Sequence, residues 1–274
     1  MHFKTSIITI NYNDRDGLQK TIDSVKNQIF KDFEFIIIDG NSNDGSKILI
    51  EEIADTLTYC VSEPDNGIYH AMNKGIRAAT GDYLLFLNSG DCLHDPLVME
   101  KLNQQIDGSS GIYYGNIIYD ETGNRREVTF PEKLTFNFFY EQNLSHQASF
   151  IKRSLFHELF FYNEEFKIVS DWEFFVYAIC KKDISYQHLN MLVTTYDATG
   201  ISSNPDNHKM MNIEREHALK KHFPAFTDDY ILFSEYKFNK AKQFLFIKRY
   251  TVAWKILKAF MNLILLFLPK FNKR

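Results

Sequence analysis

Phe33-Glu34-Phe35-Ile36-Ile37-Ile38-Asp39-Gly40 is the stretch on which the fold turns. Its apolar residues run on without a polar face, as in a strand buried on both sides within a parallel, helix-covered sheet. Before it lie the strand-like Ser6-Ile7-Ile8-Thr9-Ile10 and a helix-period stretch through Leu18, Ile22, Val25 and Ile29. After it the pattern predicts a helix from Ser46 to Ala54, a strand from Leu57 to Val61, a helix from Ile68 to Ala79 and a strand from Tyr83 to Leu87. The resulting β-α-β-α-β-α-β order implies right-handed crossovers. The expected class is therefore α/β, a Rossmann-like, mainly parallel central sheet with helices on both faces and ligands at the carboxyl ends of the strands.

The 274 residues approach the limit of a single hydrophobic core. With 45% hydrophobic and 24% charged residues, and only 12 Gly and 6 Pro, collagen-like and disordered classes are excluded. Past Asp91 the periodicity loosens: Gly111 to Tyr119 and Arg126 to Phe130 read as paired strands around Glu121-Thr122-Gly123-Asn124, and Trp172 to Cys180 reads as a buried helix. No linker separates these parts, so residues 1–110 are expected to form a nucleotide-type half and 111–236 a catalytic half of one domain.

Charge is segregated along the chain. From Lys237 onward there are ten Lys or Arg and no acid, which leaves residues 1–236 with 21 cations against 35 anions, a formal charge of −14. An acidic body argues against nucleic-acid binding, whereas a basic tail rich in Phe, Leu, Ile and Trp argues for an anionic membrane surface. Residues 237–274 are thus expected to be a C-terminal basic amphipathic helical tail, too often interrupted by charge to span a bilayer. Cys60, Cys92 and Cys180 have no metal-type spacing, and Met1-His2-Phe3-Lys4 opens no signal peptide, so a reducing cytoplasm is expected.

Polar residues past the strand ends are the candidates for chemistry. Strand one ends in Asn11-Tyr12-Asn13-Asp14 and strand two in Asp39-Gly40-Asn41-Ser42-Asn43-Asp44-Gly45-Ser46, of which Asn43 to Ser46 read as turn and cap residues. Asp39, at the edge of a buried strand, is a candidate acceptor for a base or ribose. Glu63-Pro64-Asp65-Asn66-Gly67 precedes a helix whose Asn73, Lys74 and Arg77 are placed either to meet a diphosphate or to share a solvated face. Strand four ends in Asn88-Ser89-Gly90-Asp91, a hard carboxylate suited to Mg²⁺ or Mn²⁺. Neither a dinucleotide-type nor a P-loop glycine pattern is present in this half.

Together with Ala71-Met72-Asn73-Lys74-Gly75 and Gly81-Asp82-Tyr83, these segments resemble the inverting family 2 glycosyltransferases of GT-A fold, in the branch that builds bacterial surface polysaccharides. His146-Gln147 with Phe150, and Ser170-Asp171-Trp172-Glu173-Phe174, resemble the acceptor-side motifs of that branch. The resemblance implies that Tyr12 and Asp39 hold the base of a nucleoside-diphosphate-sugar, expected to be a UDP-sugar, that Asp65, Asn73 and Lys74 lie along it, and that Asp91 is the metal-binding end of the D-x-D-type motif. Asp171 would be the catalytic base, with Glu173 its rival and His146 on the acceptor side. Two positions depart from the branch's pattern: Asp91 is the motif's sole carboxylate, and His70 stands where Asp is usual.

Asp171 opens an apolar helix, where it would act either as an N-cap or as a base whose pKa burial raises. The activity implied is transfer of a sugar, with inversion, to a lipid-linked or oligosaccharide acceptor, by a protein peripheral to the inner face of the cytoplasmic membrane. A nucleotidyltransferase on the same fold, or a non-catalytic sugar-nucleotide-binding scaffold, are the alternatives.

Overall fold

The computed structural model describes residues 3–227 and 239–268. The chain divides into two compact units, 1–217 and 218–274, so the first ends earlier than the charge boundary at 236.

In the first unit β1 (Thr5–Asn11), β2 (Phe33–Asp39), β3 (Tyr59–Ser62) and β4 (Tyr83–Phe86) lie parallel in the order β3-β2-β1-β4. They are joined by α1 (Arg15–Lys26), by α2 (Ser46–Glu52) with a short 3₁₀ turn, and by α3 (Ile68–Ala78). Ile36, Ile37 and Ile38 point alternately to opposite faces and are all fully buried, as the apolar run requires. Glu34 is the run's polar member. Burial would raise its pKa, but donors from Ser6, Thr80 and Gly81 outweigh this and hold the carboxyl at about 2. Gly75 permits the close seating of α3, since a β-carbon there would stand 2.4 Å from Ile8 Cγ2.

The rest of the sheet corrects the expectation of a mainly parallel one. Its further strands are β5 (Cys92–Leu93), β6 (Ile112–Glu121), β7 (Asn124–Val128), β8 (Ser149–Lys152) and β9 (Tyr186–Asp197). The nine-stranded sheet runs β3-β2-β1-β4-β8-β6-β9-β5, with β7 beside β6, and is mixed. β8 is antiparallel to both β4 and β6, β7 to β6, and β5 to β9, while β9 returns parallel to β6. Antiparallel neighbours need no helical crossover. The β6–β7 hairpin turns through Thr122 and Gly123, both with left-handed φ, at 51° and 92°. The helices of this part are α4 (Val98–Gln105), α5 (Phe136–Glu141), α6 (Ser154–Glu158), the buried α7 (Ser170–Cys180) and α8 (His208–His222), which begins in this unit.

The second unit contains α9 (Asn239–Lys248) and α10 (Thr251–Leu265). Val252, Ile256, Phe260 and Leu263 recur at helical spacing on one face of α10 and are all exposed. Trp254 lies 6.0 Å from both Lys248 Nζ and Lys258 Nζ, measured to its ring centre. Among the described residues no helix is long and apolar enough to cross a membrane. Lys237, Lys270, Lys273 and Arg274, four of the tail's ten cations, lie outside the described residues.

Candidate active site

The carboxyl ends of β1, β2, β4 and β9 open into one cleft of about 1550 Å³ in the first unit. At one end the loops after β1 and β2 are stitched together. Ser42 Oγ accepts from Asn13 N at 2.8 Å, and Asn43 N donates to Asn13 Oδ1 at 2.9 Å. Asn13 and Asn41 hold left-handed backbone there, a conformation Asn tolerates. Tyr12 projects into the cleft with 68% of its surface exposed, offering a ring face. Gly40 lets Asp65 close against this loop, since a β-carbon would meet Asp65 Oδ2 at 2.6 Å.

Asp39 lies beneath this end rather than in its lining. It is fully buried, and its oxygens accept from Asn11 Nδ2 (2.7 Å), Ser42 N (2.9 Å), Ser42 Oγ (2.5 Å) and Ser62 Oγ (2.5 Å). Burial alone would raise its pKa; the donors outweigh it and hold the carboxyl below the usual range. Four donors occupy the four lone-pair directions of a carboxylate, so Asp39 organises the loops that present Tyr12.

Asp91, past the end of β4, lines the same cleft. It is only 2% exposed; Oδ1 accepts from Asp197 N at 3.0 Å and Oδ2 from Asn88 N at 3.2 Å. Burial pushes its pKa up to about 7, against the opposing pull of these N–H groups and of His146. Among the described residues no three His, Cys, Asp or Glu side chains gather into a metal cage. The donor set nevertheless fits Mg²⁺ or Mn²⁺. The carboxylates of Asp91, which also takes a hydrogen bond from the Gln147 side chain, and of Asp197 beside it both line the cleft, and such ions complete their shell with water and substrate phosphates.

Asp171 also lines the cleft. It is in the first turn of α7, whose N-cap is Val169, so the N-cap reading is corrected. Oδ1 accepts from Tyr69 Oη at 3.0 Å; Oδ2 accepts from Asn143 Nδ2 at 3.1 Å and is 2.8 Å from His146 Nδ1. His146 Nε2 is 3.4 Å from Asn88 Nδ2, so the ring bridges Asp171 and the loop that follows β4. The expected rise in the Asp171 pKa is also corrected: burial favours it, but His146, the Trp172 N–H and Tyr69 prevail, and the carboxyl is held below its ordinary value.

Of the expected residues, Tyr12, Asp65, Asp91, His146 and Asp171 line the cleft, while Asn73, Lys74 and Glu173 do not. Asn73 is buried and ties α3 to the chain at Tyr162, through Nδ2 to the carbonyl (2.9 Å) and the returning N–H (3.1 Å). Lys74 pairs with Glu63 at 2.8 Å, and His70 accepts from Asn66 N. Glu173 is fully buried in α7. Sequence reasoning missed Tyr69, Asn143, Asp197 and Arg215, all in the lining, and an aromatic wall in which Tyr119 and Tyr196 stand 5.6 Å apart with Arg126 over Tyr119 at 4.3 Å. Asp197 alone carried a local signal, as a carboxylate ending a strand.

Comparison with known proteins agrees with this architecture. The model of the family described as "Glycosyl transferase family 2" matches residues 6–166. An uncharacterized glycosyltransferase of Mycobacterium tuberculosis is 33% identical over 204 residues, covering 72% of this chain and 76% of its own. A PGL/p-HBAD biosynthesis glycosyltransferase of Mycobacterium bovis BCG is 30% identical over 205 residues, covering 73% and 78%. Among solved structures, S. aureus TarS 1-349 in complex with UDP-GlcNAc superposes with a TM-score of 0.64 at 18% identity, covering 88% of this chain and 75% of that one. A match over more than half the chain, joined to relatives at this identity, establishes that the protein belongs to glycosyltransferase family 2.

Proposed function

We propose that this glycosyltransferase moves one sugar, with inversion, from a UDP-sugar to a hydroxyl of a lipid-linked or oligosaccharide acceptor in the assembly of a cell-surface glycan. The observation that carries the reading is a single cleft whose lining holds an aromatic face at Tyr12, a buried carboxylate at Asp91 and an ionised, hydrogen-bonded Asp171. The names of relatives support it: one is a putative teichuronic acid biosynthesis glycosyltransferase of Bacillus subtilis, 30% identical over 138 residues, and TarS was solved with UDP and with UDP-GlcNAc.

In this scheme the Tyr12 ring stacks on the base, and Asp39 and Asp65 fix the loops around it. A Mg²⁺ or Mn²⁺ ion held at Asp91, with Asp197 beside it, would neutralise the charge growing on the leaving diphosphate. Inversion requires the acceptor hydroxyl to attack from the side opposite that leaving group. Asp171, in the lining of the cleft, takes the hydroxyl's proton. His146 and Asn143 hold the carboxylate in place, and the low pKa keeps it ionised and ready at neutral pH. Residues 1–110 then serve the donor, the following residues serve the acceptor, and the exposed apolar face of α10 with the surrounding cations seats the protein on the anionic inner face of the cytoplasmic membrane.

A thermal-shift series of nucleoside diphosphates with and without Mn²⁺ tests the donor assignment, because a ligand bound only by the native state raises apparent stability. UDP with Mn²⁺ is expected to raise Tm more than UDP alone. If no nucleotide does so under either condition, the reading fails.

A further inference from the structure

One cation in the cleft has no task in the scheme above. Arg215, in the second turn of α8, lies with its Cζ 5.1 Å from the centre of the Trp172 ring, on the residue next to Asp171. Its Nε is buried and has no hydrogen-bond partner among the described residues. Burial lowers its pKa and the Asp171 charge raises it, yet a guanidinium keeps its proton in either case. The position is firmly held: the neighbouring Glu214 carboxylate accepts from the N–H groups of Lys167 (2.8 Å), Ile168 (3.1 Å) and Val169 (3.2 Å), just ahead of α7. Lys167, with an exposed side chain, and His208 belong to the lining of the same cleft.

Arg215 is half-buried, but its buried, unused Nε–H is costly unless something pairs with it, and its planar fork matches the oxygens of a phosphate or carboxylate. Its location says which substrate brings them. Because an inverting displacement puts the attacking hydroxyl and the leaving diphosphate on opposite faces of the anomeric carbon, a cation packed beside the base stands on the acceptor's face.

We propose that Arg215, with Lys167 and His208, forms an oxyanion subsite for the acceptor, so that the accepting hydroxyl belongs to a molecule carrying a phosphate or carboxylate close to it. The assignment to the acceptor rests on Asp171 being the base; the existence of the subsite does not.

The test uses the full chain saturated with UDP and Mg²⁺, so that the donor's diphosphate site is filled, and titrates glycerol 1-phosphate and, separately, glucuronate by ligand-observed NMR and calorimetry. Wild type is expected to bind at least one of them, the tighter probe naming the anion. Arg215→Gln should weaken that binding by about tenfold or more, as loss of a charged hydrogen bond does, with UDP affinity unchanged. Lys167→Gln, at an exposed side chain, should weaken it less and provides the measurement if Arg215→Gln does not fold. Equal binding by wild type and the folded variants, or no binding of either probe, overturns the subsite. A parallel loss of UDP affinity overturns the acceptor assignment by moving Arg215 to the donor diphosphate. Failure of the wild type to bind UDP would instead remove the donor reading; the same titrations on the nucleotide-free chain would still uphold or overturn the oxyanion subsite.

Discussion

Asp91→Asn separates what the buried carboxylate costs the fold from what it does for the substrate. Burial holds this carboxyl at about 7 against an ordinary 3.8. Between those values the folded chain keeps a proton that the unfolded chain has lost, so stability falls as pH rises through the interval and the full penalty stands above about 7. At about 1.4 kcal/mol per pH unit the whole shift amounts to ~4 kcal/mol, of which ~3 kcal/mol falls between pH 5 and pH 8. Asparagine is the neutral isostere. Like the protonated acid, it sets a donor where the carboxylate set only acceptors, so any lost bond to Asn88 N or Asp197 N is common to both and cancels at low pH. Urea denaturation of the chelator-treated proteins should therefore show Asp91→Asn gaining ~3 kcal/mol on wild type between pH 5 and pH 8. Saturating UDP with Mn²⁺ should narrow or reverse the gap, since only wild type keeps the carboxylate. A stability difference that does not change with pH would refute the argument, because the carboxylate would then not be held protonated by burial.

Asp171→Asn should retain UDP affinity and lose transfer by about 10²-fold or more, read by donor calorimetry and single-turnover kinetics. Glu173→Gln should leave the larger share of transfer, and the opposite ranking would move the base to Glu173. Asp39→Asn should lower both stability, by ~1–3 kcal/mol, and nucleotide affinity, because one of its four donors would face an amide N–H; unchanged values for both would remove its organising role. In vesicle sedimentation the full chain should bind anionic better than neutral membranes and release them as salt rises, while a chain ending at residue 234 stays soluble and keeps nucleotide binding. Indifference of the full chain to vesicles would count against a membrane role for α10.

What the sequence disclosed follows from how far each signal has to travel. Strands β1, β2 and β4 are each buried by their own neighbours in a parallel stack, so the apolar runs at Ile7–Ile10, Phe35–Ile38 and Tyr83–Phe86 are legible without knowledge of their partners. Their polar ends were legible for the same reason. Tyr12 and Asp91 line the cleft because a residue following a buried parallel strand has only the carboxyl edge to occupy. The second half obeys no such rule. β7 is exposed almost throughout, and β9 pairs with β6 on one side and β5 on the other, so its residues are a compromise between two contacts remote in sequence. With that strand unread, Asp197 at its end went unnoticed.

The same distance explains the chemistry that local reasoning reversed. Asp171 on an apolar helix implies a raised pKa when only its own segment is considered. Of the donors that reverse the shift only the Trp172 N–H is local; His146 is 25 residues away and Tyr69 102 residues away, and neither is marked in the sequence as its partner. Asn73 and Lys74 illustrate the converse. Helical spacing puts both on α3, yet which side of α3 meets the cleft is decided by Gly75 seating the helix on Ile8, and that seating turns Asn73 to Tyr162 and Lys74 to Glu63. A residue's type and place in its element thus foretell chemistry where the element's burial fixes its orientation, as at the ends of β1 and β4. Where orientation depends on which distant segment docks, as for α3 and α7, the site takes its character from those contacts.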